Sequence, residues 1–310
     1  LKSYLEFVAL ANIADVVPLT GTNRVLTLFG LDEIRKNPSL GIAALLEVSK
    51  VQSHQINTGT VSFRLAPRLN AAGRIDCAST AVKLLLAKTS DEAFYFAEEL
   101  ERLNKKRQGD EAEVVKEALK DPIHSTTCGA TVSYAAHWHV GVIGIAAAKM
   151  VARYKRPAAV IGGTGDEAKG SIRTYRNIDV LAALESCADL LLRFGGHTQA
   201  AGLSIHPENI KKFRERFNEY CEKKLNQLPD AQLQIDALLE PEKITEDIVH
   251  EIESLAPFGA GNPEPLFCTH QLKTSAHKVV GERHLKFKVL GNKRHFDAIA
   301  FNMADPDMKN

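Results

Sequence analysis

Leu190-Leu-Leu-Arg-Phe-Gly-Gly-His-Thr-Gln-Ala-Ala-Gly-Leu-Ser-Ile205 is the stretch from which the rest of the chain is read. It reads as a helix end that runs through two glycines and a histidine into a strand. Gly195 and Gly196 lack Cβ atoms where the helix stops, so the backbone there can take positive φ and bring its N–H groups close to an anion. His197 adds a side-chain donor beside them. Ala200, Ala201 and Gly202 are small enough for the following strand to press against a neighbour. Two readings stay open on these residues alone: a phosphate pocket, or an ordinary helix C-cap next to a surface histidine.

Upstream, Phe63-Arg-Leu-Ala-Pro-Arg-Leu-Asn-Ala-Ala-Gly-Arg-Ile75 places Arg64, Arg68 and Arg74 in a segment punctuated by Pro67, Asn70 and Gly73. Irregular backbone is expected there, presenting guanidinium forks suited to phosphate oxygens. The alternative is a turn carrying surface charge. Two loops at strand ends are further candidates. His137-Trp-His-Val-Gly-Val-Ile-Gly144 leads from a strand into a helix N-terminus, where backbone N–H groups favour anions. The pair His137 and His139 raises the question of a metal, but no carboxylate or cysteine flanks it in sequence, so a structural Trp138 between surface histidines is expected. In Lys169-Gly-Ser-Ile-Arg-Thr174 the two-residue strand period puts Ser171 and Arg173 on one side, a hydroxyl and a guanidinium that together suit a terminal phosphate.

Composition sets the frame for these candidates. With 310 residues, 45% of them hydrophobic and 25% charged, the chain is expected to be a soluble protein of two or three domains. A net charge of +1 gives no global sign of a nucleic-acid partner, so any such surface is local. Cys77, Cys128, Cys187, Cys221 and Cys268 are widely spaced and never form a Cys-x-x-Cys pair, which argues against a disulfide framework or zinc site and fits a reducing cytoplasm. The most apolar run, 140–152, is broken by Lys149 and too short to span a bilayer, so no membrane partner is expected. The chain starts with Leu1 inside an apolar helical pattern and without Met, and is expected to be a fragment.

The expected fold class is α/β. Residues 1–14 read as a helix ending at Asp15, a carboxylate at the negative end of the helix dipole unless a cation or a local N–H compensates. Short helices follow near 24–35 and 41–50, and 79–120 reads as one long or twice-started helix renewed at Thr89-Ser-Asp-Glu92. Beyond Leu103 that helix is almost wholly polar and is expected to bridge domains. Alternating strands and helices over 130–225 argue a sheet covered by helices. The last of these, 209–224, carries Lys211, Lys212, Arg214, Arg216, Lys223 and Lys224 and reads as a solvated amphipathic helix. After a strand at 233–239 and a helix at 244–255, closely spaced short strands suggest a small barrel. There Lys278, Arg283, Lys286, Lys288, Lys293, Arg294, Phe287 and Phe296 suit a stacking surface for single strands, unless Phe287 faces a core while Lys286 and Lys288 face water.

Gly-Gly-His-x-x-Ala-Ala-Gly at 195–202 resembles the signature of the DHHA1 domain of DHH phosphoesterases. Pro67-Arg-x-Asn-Ala-x-Gly-Arg74, Trp138-His-x-Gly-Val-Ile-Gly144, Gly170-Ser-x-Arg173 and Pro257-Phe-Gly-x-Gly-Asn-Pro-x-Pro265 are similar, in the same order, to segments of that family's bacterial single-strand-specific DNA exonucleases. The resemblance implies the end of a DHH domain over 1–76, a connecting helix over 77–122, a DHHA1 domain over 123–228 and a truncated OB-like barrel over 229–310. It implies 5′→3′ hydrolysis of single-stranded DNA with two divalent cations, Mn²⁺ or Mg²⁺, in repair and recombination. By the same resemblance Asp15 is a metal ligand and His197 and Arg68 are catalytic, while Arg74, Asn70, Ser171, Arg173, Gly195, Gly196 and His139 hold the phosphate backbone. A helicase and a single-strand-binding protein are implied partners.

The family's upstream Asp-x-Asp motif and its Asp-His-His triplet are not found ahead of Asp15 in this sequence. The chain alone is therefore expected to be inactive, and a non-catalytic single-strand-binding module or scaffold is the alternative. A relative acting on very short oligonucleotides or cyclic dinucleotides fits less well, because an added OB-like domain suits a long polymer.

Overall fold

The computed structural model describes residues 2–120, 129–229, 232–291 and 295–304, which leaves Cys128, Lys293 and Arg294 outside the described residues. A 3₁₀ turn at Lys2–Tyr4 opens into α1 (Leu5–Ala14), followed by α2 (Gly21–Lys36) and α3 (Leu40–Val48). A short helix α4 (Thr58–Thr60) runs through a π-turn at Val61–Leu65 into α5 (Ala66–Ile75). Then come α6 (Ser79–Leu86) and the 29-residue α7 (Ser90–Ala118). Two starts are indeed present: Thr89 caps α7 by accepting a hydrogen bond from the Glu92 N–H at 3.2 Å.

The α/β part contains β1 (Thr131–Tyr134), α8 (Ile143–Tyr154), β2 (Ala158–Gly162), β3 (Ala168–Arg173), α9 (Val180–Glu185), β4 (Leu191–Gly196), β5 (Ala200–Ile205) and α10 (Ile210–Leu225). The chain ends with β6 (Ala237–Leu238), α11 (Glu246–Ser254), β7 (Phe267–Cys268), β8 (Lys273–Val280), β9 (His284–Leu290) and β10 (His295–Ala300). Among the described residues no helix is long and apolar enough to cross a membrane.

The chain divides into two compact units, 1–32 with 231–310 and 33–230. The expected boundaries at 76, 122 and 228 cut it differently: helices α3 to α7 group with the α/β sheet. In the second unit five strands run in the order β1-β2-β3-β5-β4, with β1 and β2 parallel and the other pairs antiparallel. Strand β2, between β1 and β3, is buried throughout, so its two-residue period feeds two cores. Ala159 and Ile161 join Ile172, Leu203, Phe213 and Phe217 under α9 and α10. Ala158 and Val160 join Val114, Trp138, Ala146 and Met150 under α7 and α8. Phe213 and Phe217 stack at 5.3 Å with both rings fully buried, and truncating either to Ala is worth about 3–5 kcal/mol.

Two expectations about local structure are corrected here. Residues 190–196 do not end a helix: α9 stops at Glu185, and Leu191–Gly196 is strand β4, hairpinned onto β5. The two-residue glycine signal was read as a C-cap, yet a Cβ on Gly196 would lie 2.4 Å from the Ala200 carbonyl oxygen, so the hairpin itself demands this glycine. The arginine segment 64–74 is not irregular. Pro67 sits in the first turn of α5, where its missing N–H is harmless, and the helix continues to Ile75. The polar second half of α7, expected to bridge domains, carries a buried polar cluster. Asn104, Arg107 and Glu111 are buried, Arg107 donates to Asn104 Oδ1 at 3.0 Å and to Glu111 Oε2 at 2.7 Å, and Lys149 of α8 also pairs with Glu111.

In the first unit the strand expected over 233–239 shrinks to Ala237–Leu238, paired in parallel with β7. A three-stranded antiparallel sheet, β10-β9-β8, stands separately, and the described strands do not close into a barrel. Along β9, Lys286 and Lys288 are exposed while the ring of Phe287 is half-buried and stacks on His277 at 6.0 Å. The Pro257–Pro265 connector meets the loop between α1 and α2 and the start of α2. Leu19 N–H donates to the Ala260 carbonyl at 2.6 Å, and Arg24 Nη2 donates to the Leu255 carbonyl at 2.9 Å.

Candidate phosphate site

Strand register builds a cationic cavity of about 570 Å³ on the face of the five-stranded sheet in the second unit. Ser171 of β3 stands opposite Gly202 of β5, which stands opposite Gly195 of β4. The absence of two side chains in that row leaves a bare shelf beside the Ser171 hydroxyl. An added Cβ at Gly195 would meet nothing within 4 Å. One row along, Lys169, Ser204 and Arg193 stand opposite one another and supply a polar wall. Arg74, from the last turn of α5, and Gly141, Ile143 and Gly144, at the start of α8, complete the lining.

Arg173 is the chemical centre of this cavity. Its Nη1 donates to Ser171 Oγ at 3.0 Å and to the Ile172 carbonyl at 2.8 Å. Among the described residues no carboxylate lines the cavity, against four cations: Arg74, Lys169, Arg173 and Arg193. Burial first, and the like charge of Arg74 second, push the Arg173 guanidinium below its usual basicity. Arginine stays protonated regardless, so the guanidinium is a partly desolvated cation that a bound anion would neutralise. Arg193 is the exception among the cations, paired with Glu167 at 2.6 Å. Close packing holds the cluster. A Cβ on Gly144 would lie 3.0 Å from Arg173 Nη2 and 3.1 Å from Ser171 Oγ, and one on Gly141 would lie 2.0 Å from the Arg74 carbonyl oxygen.

Of the residues expected at the phosphate, the structure brings together Arg74, Ser171, Arg173 and Gly195. Others stand elsewhere. Arg68 turns toward α7, where its Nε donates to Glu101 Oε2 at 2.7 Å and its Nη1 to the Arg64 carbonyl at 2.6 Å, and it does not line the cavity. Asn70 is exposed on α5. His197 is exposed in the β4–β5 turn, its N–H closing the hairpin on the Ala200 carbonyl at 2.8 Å, and its ring is not part of the cavity wall. His139 accepts the Gly141 N–H on Nδ1 at 3.1 Å, which removes that N–H from the donors open to an anion. Gly196 serves the hairpin rather than the cavity.

Sequence reading missed Lys169, Arg193, Gly141 and Gly144 as site residues. Extending the two-residue period from Arg173 and Ser171 back to Lys169 would have found the first, whereas Arg193 needed β4 to be recognised as a strand.

The histidine pair behaves partly as expected. Trp138 is buried, with Nε1 donating to Glu117 Oε2 at 2.7 Å, and His137 and His139 are exposed. A carboxylate does flank the pair, however, supplied by α7 from 20 residues away: His137 Nε2 lies 2.9 Å from Glu117 Oε2. The bond from Trp138, and then the charge of His137, hold the Glu117 carboxyl below its ordinary range. Glu113, Glu117 and His137 form the one group of three metal-competent side chains among the described residues, and Glu117 is already engaged. Asp15, in the other unit, caps α1 with its backbone N–H bonded to the Ala11 carbonyl at 3.0 Å, and its exposed carboxylate has no partner among the described residues. One carboxylate does not hold two divalent ions, so the described residues do not by themselves fit a two-metal centre.

Residues 128–223, which supply every lining residue of the cavity except Arg74, match the DHHA1 domain family. Residues 235–309 match the RecJ OB domain family. The chain is similar over nearly its whole length to RecJ exonucleases: it is 38% identical over 98% of its length to the single-stranded-DNA-specific exonuclease RecJ of Escherichia coli (strain K12), covering 55% of that protein. It is 35% identical over 97% of its length to the exonuclease of the same name from Bacillus subtilis (strain 168), covering 39% of it. The crystal structure of RecJ in complex with Mn²⁺ from Thermus thermophilus superposes with a TM-score of 0.85 at 32% identity, over 98% of this chain and 45% of that one. A Mg²⁺ complex of the same protein superposes at 0.83. The chain thus spans about 39–55% of the length of the curated relatives it matches.

Proposed function

We propose that this chain holds the 5′-terminal phosphate of single-stranded DNA for a metal-dependent 5′→3′ exonuclease of repair and recombination. The observation that carries the reading is the Ser171–Arg173–Arg74 cluster, with Ser171 and Arg173 half-buried and Arg74 exposed, in a cavity of about 570 Å³ that no carboxylate lines among the described residues. The Ser171 hydroxyl and the Arg173 fork bind the terminal phosphate oxygens, Arg74 and Lys169 neutralise the remaining charge, and the glycine shelf admits the phosphate without steric contact. His197, exposed in the adjoining hairpin turn, meets the strand beyond its end. Asn70, exposed on the same helix as Arg74, contacts the backbone further along. Arg68 acts through its pair with Glu101, fixing α5 and thereby Arg74.

When bound, Mn²⁺ or Mg²⁺ supplies an activated water and stabilises charge on the scissile phosphate. Asp15 is the carboxylate here that would contribute to holding it. This chain's own residues bind and orient the strand. A helicase and a single-strand-binding protein suit such an enzyme, since a single-strand-specific site needs its substrate separated and presented. The free cysteines Cys77, Cys187, Cys221 and Cys268 suit a reducing, cytoplasmic setting.

The test is binding and turnover measured together. The isolated chain should bind 5′-phosphorylated single strands with an affinity that falls steeply with salt, and release no nucleotide in Mn²⁺. Salt-insensitive binding, or none, removes the phosphate reading. Processive degradation by the isolated chain removes the claim that its metal set is incomplete.

A further inference from the structure

On the second unit, α3 and the start of α7 leave a groove of about 600 Å³, away from the residues of the phosphate cavity. Its floor is apolar and open to water: Leu40 is 41% exposed, Phe94 38% and Tyr95 67%. Its rim is acidic, with Glu47 on α3 and Asp91 and Glu98 on α7. None of the three carboxylates pairs with a cation among the described residues. Asp91 sits in the first turn of α7, where the helix dipole accommodates it, but Glu47 sits in the last turn of α3, where the dipole opposes it. An apolar floor ringed by unneutralised carboxylates is unlike the cationic cavity that serves nucleic acid, and it repels a phosphate backbone.

We propose that this groove docks an amphipathic helix of a partner protein, with apolar anchors on the floor and lysines or arginines meeting Glu47 and Glu98. From Leu40 to Glu47, at about 1.5 Å per residue, the groove runs for roughly two helical turns, room for anchors at i, i+4 and i+7.

The probe is a fluorescein-labelled amphipathic helical peptide with leucines at i, i+4 and i+7 flanked by lysines, titrated against the whole chain. A control peptide carries glutamate at every lysine position. The lysine peptide should bind, the glutamate peptide should not, and Glu47→Lys combined with Glu98→Lys should weaken binding about tenfold or more. Tyr95→Ala, whose ring is mostly in water, should also weaken it, and gives a second reading if the charge reversal lowers the melting temperature. Equal affinity for both peptides, or unchanged affinity in both variants, overturns the proposal. So does a dimer in sedimentation velocity that Glu98→Lys dissociates, because the groove would then serve a second copy of the chain.

Discussion

Arg173 reaches Ser171 across one strand period, Nη1 to Oγ at 3.0 Å, and the missing Cβ of Gly144 lets α8 pack close against both side chains. That fork has a definite geometry, so charge alone should not replace it. Arg173→Lys keeps the positive charge but loses the planar pair of donors, and should weaken binding of a 5′-phosphorylated oligonucleotide by about 1 kcal/mol or more. Fluorescence anisotropy at fixed salt measures this; wild-type affinity in the lysine variant would mean that the cavity acts as a diffuse positive patch.

The glycine shelf gives a second prediction. Gly195 has open space where a side chain would stand, and a β-branched residue is comfortable in a strand. Gly195→Val should therefore leave the melting temperature nearly unchanged while filling the cavity beside Ser171, so that binding falls several-fold and stability does not. A variant that binds as well as wild type would place the phosphate elsewhere.

Glu117 predicts a pH dependence. Its folded-state carboxyl is held below its ordinary range, chiefly by the Trp138 N–H, so its contribution to stability is present above the unfolded value of ~4.3 and lost as pH falls through the lower folded value. The chain has a single tryptophan, so intrinsic fluorescence reports on this bond directly. Acid titration should show a Trp138 transition below pH ~4.3 that Glu117→Gln abolishes. A transition retained in the variant would assign it to another carboxylate.

Glu111 predicts a stability change remote from the cavity. Its carboxylate, 6% exposed, accepts from Arg107, itself 10% exposed, and pairs with Lys149. Glu111→Ala leaves the Arg107 guanidinium buried with Asn104 as its remaining partner, which should destabilise the unit by roughly 3 kcal/mol. Calorimetry should show the melting temperature lowered by roughly 6–12 °C. No change would mean that Arg107 re-solvates without difficulty.

Much of the site was legible because it obeys short periods. Ser171 and Arg173 sit two apart on one strand, and Thr89 announces α7 by its cap. What failed did so for tertiary reasons. Gly195-Gly196 carries the signal of a helix end and of a tight hairpin equally, and only pairing with β5 decides between them. Pro67 and Gly73 look like loop residues until one sees that both lie near the ends of α5. The partners of Arg68 and Trp138 lie on α7, 33 and 21 residues away in sequence, so no local pattern could show that these polar groups are spoken for; those of Arg107 are local, Asn104 and Glu111 flanking it on one face of the same helix.

The central claim, that the Ser171–Arg173–Arg74 cavity recognises a terminal phosphate, is tested most directly by comparing two oligonucleotides of one sequence, with a 5′-phosphate or a 5′-hydroxyl. At one salt concentration the wild-type chain should prefer the phosphorylated strand by about tenfold, and Arg173→Ala should erase the preference. Equal affinity of the wild-type chain for the two strands would contradict it.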